Sequence, residues 1–144
     1  MDILAFILVA SVLTTHTPKH EKIDHDLEFY VDMVYELTDG TLGGKIERMG
    51  FDKELDNKIL GTCYHLTDEI SIHPENWKSL SEKERILLVA HEIAHCECKQ
   101  EHVESKSEKS WCPEHFMAPT AGGAYCSRIH FDKYIKQMKK VDCE

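Results

Sequence analysis

HEIAHCECKQEH, residues 91–102, carries the pattern H-E-x-x-H in His91, Glu92 and His95. On an α-helix, positions i and i+4 lie about one turn apart on the same face. The two imidazoles are therefore placed to bind one Zn²⁺ through a nitrogen each. Glu92 follows the first ligand directly and can reach a zinc-bound water without coordinating the metal. One rigid rod thus offers two ligands and a general base. A catalytic zinc takes three protein ligands and leaves a fourth position to water. His102 is the natural third ligand, because the seven residues from His95 let the chain leave the helix, turn and return.

Ten of the 144 residues are histidine, so a chance match is the competing explanation. The residues around the motif argue against it. Ile86, Leu87, Leu88, Val89 and Ala90 run straight into it, and Ile93 and Ala94 continue the run. So wide an apolar band implies a helix buried on most sides. Two imidazoles and a carboxylate buried there are costly without a shared partner. Ser81 followed by Glu84 is a capping box at the expected start of the helix.

A chain of 144 residues implies a single domain, here 19–144. The formal charge of −9 argues against a nucleic-acid partner, since no basic stripe is left to neutralise phosphates. Residues 3–13, ILAFILVASVL, are too few to span a bilayer as a helix but fit the apolar core of a secretory signal peptide. Only Met1 and Asp2 precede them, with no Lys or Arg. Residues 1–18 are expected to target or anchor the chain, giving a secreted, periplasmic or membrane-anchored protein, with the cytoplasm as the alternative. The six cysteines (63, 96, 98, 112, 126 and 143) allow fifteen pairings in an oxidising compartment. In a reducing one they stay buried thiols or metal ligands. Cys96, Cys98 or Cys112 could then close the zinc site, making the metal structural and the protein non-catalytic.

The remaining pattern is α+β. Leu27, Tyr30, Val31, Val34 and Leu37 have helical spacing over 26–37, and Gly40, Gly43 and Gly44 break that helix. Three short strands are expected at 45–51, 58–65 and 69–73, the last from the alternation of Ile70 and Ile72 with Ser71 and His73. His65 and His73 are minor ligand candidates. A polar loop follows from Glu104 to Pro113. Met117 and Pro119 mark a short apolar turn before Gly122 and Gly123. Phe131, Tyr134, Ile135 and Met138 give a final amphipathic helix.

A strand, a capped H-E-x-x-H helix, a third histidine and a Met-containing turn, in this order, resemble the metzincin clan of zinc peptidases. More closely, ISIHPENWKSLSEKERILLVAHEIAHCECKQEH and FMAP are similar to a group of small metallopeptidase-like proteins of bacteria and phages, over roughly Ile70 to Pro119. The resemblance implies a small zincin-like domain: N-terminal helix, short mixed sheet, active-site helix, Met-turn and C-terminal helix. It implies one zinc on His91, His95 and His102, Glu92 as base and proton shuttle, and Met117 as the Met-turn residue packed against the ligands. Three departures stand out. The third histidine comes one residue later than in metzincins, Cys98 occupies the position of their turn glycine, and His115-Phe116 replaces the small residue before the methionine. His115 and Glu114 are therefore rival third ligands.

The expected chemistry is hydrolysis of a peptide or protein by a monomeric enzyme. Zinc acidifies its bound water and polarises the scissile carbonyl, and Glu92 carries the proton to the leaving amine. The strand at 70–73 is expected to line the cleft and pair with an extended substrate. The resemblance also offers Tyr125 as an oxyanion stabiliser.

Overall fold

Asp24 caps helix α1, His25–Leu37, by accepting the amide of Asp26 at 3.0 Å, and Leu27, Val31 and Val34 form its buried stripe. Thr38 ends it. The Thr38 hydroxyl donates to the Val34 carbonyl at 2.7 Å and accepts the Leu42 amide at 3.1 Å, which turns the chain toward the sheet. The computed structural model describes residues 20–104 and 111–143. The apolar stretch 3–13, the targeting role expected of 1–18 and the centre of the polar loop after Glu104 lie outside the described residues.

Three short strands make one mixed sheet in the order β1-β3-β2. β1 (Arg48–Phe51) runs parallel to β3 (Glu69–Ile72), and β2 (Gly61–Tyr64) runs antiparallel to it. This corrects one expectation. The strand at 70–73 is central and hydrogen-bonded on both sides, so it cannot accept an extended peptide; the antiparallel outer strand is β2. The strand expected from Lys45 begins only at Arg48, because the amides of Gly43, Lys45 and Ile46 all donate to the Glu97 carboxylate at 2.7–2.8 Å.

Helix α2, Pro74–Lys78, is a single short element in which Pro74 opens the helix as well as closing the strand, a position where its missing N–H costs nothing. His73 caps it, its Nδ1 accepting the Asn76 amide at 3.2 Å. Helix α3, Glu82–Cys98, starts at the expected capping box: Ser81 N donates to Glu84 Oε1 at 3.0 Å, and Glu84 N to Ser81 Oγ at 3.3 Å. Helices α4, Gly123–Ile129, and α5, Phe131–Lys139, close the described chain. The domain is therefore α+β, with five helices and three strands among the described residues.

Helix α3 runs through the middle, packed against α1, β2, β3, α4 and α5. Its Ile93 is fully buried with Leu27, Met49, Ile70, Ile72, Met117 and Met138. Each such side chain contributes on the order of 1.5–3 kcal/mol by leaving water. An aromatic corner fixes the start of α3. Trp77 meets Tyr30 edge-on at 5.0 Å and Phe51 at 5.8 Å, and Arg85 lies over its ring while donating to its carbonyl. Three disulfides complete the frame: Cys63–Cys96 joins β2 to α3, Cys98–Cys143 joins the end of α3 to the C-terminal segment, and Cys112–Cys126 joins the post-loop turn to α4. No helix of the described residues is long and apolar enough to cross a membrane.

Candidate metal centre

His91, Glu92 and His95 are all at most 1% exposed in the middle of α3, and the chain returns to bring half-buried His102 beside them. His95 Nε2 lies 3.1 Å from His91 Nε2, which lies 3.3 Å from His102 Nε2. The contact between His95 and His91 is not an ordinary hydrogen bond. His91 Nδ1 sits 2.9 Å from the Phe116 carbonyl and His95 Nδ1 sits 2.5 Å from the Gln100 carbonyl. A carbonyl only accepts, so each Nδ1 carries the proton and each Nε2 presents a lone pair. Two lone pairs facing at 3.1 Å repel unless a cation lies between them.

The spacing fits such a cation. Four ligands around a tetrahedral ion with bonds of about 2.0–2.1 Å stand roughly 3.3–3.4 Å apart. The three histidines form the one group of potential metal-holding side chains among the described residues. Protons are not a substitute for the ion. Burial, reinforced by the neighbouring imidazoles, holds His91 well below the usual histidine range and brings His95 down to about 4. Burial lowers His102 as well. Neutral imidazoles are the ligating form.

Glu92 supplies the second sign of a missing partner. Both its carboxylate oxygens are buried and accept no hydrogen bond from the protein. Burial alone pushes its carboxyl well above the ordinary range. An unpartnered buried carboxylate costs several kcal/mol by order of magnitude, and it sits on the helix whose two histidines, with His102, could hold a metal ion. Gly61 of β2 leaves it room: a Cβ at Gly61 would stand 3.3 Å from Glu92 Cγ and 2.9 Å from Ile72 Cδ1. Nothing in the sequence marked Gly61, since its meaning depends on the strand lying across α3.

The turn holding Met117 serves the site through its backbone. The Phe116 carbonyl orients His91, and the Met117 carbonyl accepts the Val103 amide at 2.9 Å, next to His102. Met117 itself is fully buried. The rival ligands are engaged elsewhere. His115 Nδ1 accepts the Met117 amide at 3.0 Å, and Glu114 pairs with Lys133. His73 is spent on capping α2. His65 is closer, its ring 6.5 Å from that of His95, but it stands outside the ligand cluster. All six cysteines are in disulfides, so none offers a thiolate. Tyr125 is 63% exposed on α4, its ring facing Arg128 rather than the histidines.

A cleft of about 50 Å³ opens one helical turn before His91, lined by Leu60, Leu88, Phe116, Ala121 and Tyr134 among others. One water takes roughly 10–15 Å³ on this measure, so a few heavy atoms fit. Comparison with protein-family models, curated proteins and solved structures gave no match for this chain.

Proposed function

We propose that this chain is a zinc-dependent peptidase, with His91, His95 and His102 as ligands and Glu92 as general base. The observation that carries the proposal is the convergence of three imidazole nitrogens at a helix that also carries a buried, unpartnered carboxylate. A purely structural three-histidine site has no use for Glu92. Bound zinc would supply a Lewis acid that polarises the scissile carbonyl and lowers the pKa of the attacking water. Zinc is favoured over harder ions by the all-imidazole donor set.

Glu92 accepts a proton from the attacking water and returns it to the leaving amine, a role its position beside the first ligand suits. The apolar cleft before His91 has room for a small side chain flanking the scissile bond. The three disulfides fit an oxidising compartment such as the cell exterior.

The deciding experiment compares zinc-loaded wild type with Glu92→Gln on an unbiased peptide mixture read by mass spectrometry. Retained zinc with turnover reduced by roughly 10²–10⁴ supports the proposal. Equal turnover in the variant, or no cleavage by a zinc-replete wild type, overturns it.

A further inference from the structure

We infer that the C-terminal segment 141–143 is part of the metal centre, acting through Cys143 and Gln100 to hold the turn that presents His102. The inference rests on the three-histidine site proposed above and concerns how its third ligand is positioned.

Helix α3 must stop abruptly if His102 is to come back to the metal. Its last residues are Glu97 and Cys98, and the reversal falls on Lys99, which has the left-handed backbone φ 53°, ψ 30°. A residue with a Cβ takes that conformation at a cost relative to the right-handed form, because the Cβ crowds the following carbonyl oxygen, and no glycine stands here to relieve it. Local hydrogen bonds offset part of the cost. The amides of Lys99 and Gln100 both reach the Ala94 carbonyl, and Lys99 Nζ donates to the Cys96 carbonyl and to Asp68.

The rest of the support comes from the far end of the chain. Cys98 is bonded to Cys143 across 45 residues of sequence. The Gln100 carboxamide donates to the Cys98 carbonyl at 3.4 Å and to the Asp142 carbonyl at 3.3 Å, bridging the turn to the C-terminal segment. The carbonyl of that same Gln100 receives His95 Nδ1. One residue therefore touches the C-terminal segment with its side chain and a metal ligand with its backbone. The ligand two positions further on, His102, leaves from this fixed point. Without the staple, the strained Lys99 backbone is free to relax toward continued helix. That movement takes the Gln100 carbonyl from His95 and carries His102 away from the other two nitrogens.

The other two disulfides hold different parts. Cys112–Cys126 fixes the wall of the apolar cleft, with Gly122 pressed so close that a Cβ there would meet Pro113 and Cys126 at 2.6 Å. It provides the control.

The test is zinc affinity, measured by chelator competition on the full chain, for wild type, Cys98→Ser/Cys143→Ser, Gln100→Ala and Cys112→Ser/Cys126→Ser. Melting of each zinc-free protein is recorded alongside. Loss of a supporting outer-shell partner weakens metal binding by roughly 10–100-fold, and that range is expected for Cys98→Ser/Cys143→Ser. A smaller loss in the same direction is expected for Gln100→Ala, which keeps the disulfide. The Cys112→Ser/Cys126→Ser control should keep wild-type affinity even if its melting temperature falls. Cobalt-substituted Gln100→Ala should also show weaker visible bands, as waters take the place of a displaced imidazole and raise the coordination number above four. Unchanged affinity in both staple variants, or an equal loss in the control, overturns the inference. Should the double serine variant fail to fold, Gln100→Ala alone decides. A wild type that binds no zinc removes the site itself, an outcome distinct from zinc bound equally by wild type and the staple variants.

Discussion

His91 Nδ1 donates to the Phe116 carbonyl at 2.9 Å, joining the first candidate ligand to the turn that holds Met117. The next carbonyl in that turn, of Met117, takes the Val103 amide. The turn thus fixes the tautomer of His91 and the approach of the segment carrying His102. Because both contacts use backbone atoms, His102→Ala should remove one ligand and leave the frame standing. Elemental analysis should find one zinc per chain in wild type. The variant should bind it more weakly by more than the roughly 10–100-fold that an outer-shell partner is worth. Tight zinc in the variant would move the third ligand to another residue.

Metal uptake should expel a proton, and Glu92 should be its source. The histidines are held below their ordinary range and are already neutral near pH 7. Glu92 is pushed the other way, so in the metal-free protein it tends to keep its proton. A nearby dication favours the carboxylate and reverses that. Calorimetric titration of zinc into buffers of different ionisation enthalpy should show proton release in wild type. Glu92→Gln should release fewer protons while binding zinc. Equal release in both would place the proton on the zinc-bound water or a histidine and not on Glu92.

The same shifts set opposite limbs in the stability of the metal-free protein. For His95 the folded pKa of about 4 lies below the ordinary 6.5, so the unfolded chain binds more protons between the two. That contribution is fully present above pH 6.5 and is lost as pH falls toward 4. His91 adds to it in the same direction. Glu92 has the opposite sign: its folded pKa exceeds the ordinary 4.5, and its contribution is lost as pH rises through the folded value. Melting temperature should therefore fall toward acid through the histidines, while from pH 4.5 upward Glu92 opposes their gain, so Glu92→Gln should be the more stable of the two on the high-pH side. A Glu92→Gln profile that tracks wild type at every pH would contradict the assignment to Glu92.

The parts of the fold that were legible are those written in local pattern. The Ser81–Glu84 box, the apolar run through Ala94 and the stripe of Leu27, Val31 and Val34 each specify a helix by spacing alone. The closeness of His91 and His95 was legible for the same reason, because i and i+4 on a helix are neighbours whatever the tertiary structure. What remained hidden depends on contacts distant in sequence. Pro74 could as well end a strand as begin a helix, and nothing local marks Gly123 as the start of α4. The sheet order decided which strand is outer, and no pattern within Ile70–His73 encodes that. The six cysteines had fifteen pairings, and only proximity selects among them.

Glu97 is a further residue whose role needed the structure. Half-buried near the end of α3, it gathers the amides of Gly43, Lys45 and Ile46 within 2.8 Å. Hydrogen bonds to a charged acceptor are worth about 1.5–3 kcal/mol each, but water reaches the Lys45 amide when the carboxylate is gone. Glu97→Ala should therefore cost about 2–4 kcal/mol, less than the sum of three, in chemical denaturation of the zinc-loaded protein. Glu97→Gln keeps one acceptor oxygen and should lose less. A loss below about 0.5 kcal/mol, the range of ordinary surface substitutions, would show that the loop is held by other contacts.

Gly61 offers the most selective probe of the carboxylate. It lies on β2 opposite Glu92, and an added Cβ there meets Glu92 Cγ at 3.3 Å and Ile72 Cδ1 at 2.9 Å. The Ile72 methyl is the end of a flexible side chain and can shift, whereas Glu92 is enclosed on a packed helix. No positive φ is required at Gly61, so alanine brings no backbone strain of its own. Overpacking of this kind costs about 1–3 kcal/mol, which the zinc-loaded protein should survive folded. Because Glu92 is displaced and not removed, Gly61→Ala should keep zinc and lose turnover chiefly in kcat. A misplacement near 1 Å can cost about 10²-fold in rate, and that sets the expected scale. Wild-type kcat with only a lower melting temperature would mean that Ile72 absorbs the added methyl and that Glu92 keeps its place.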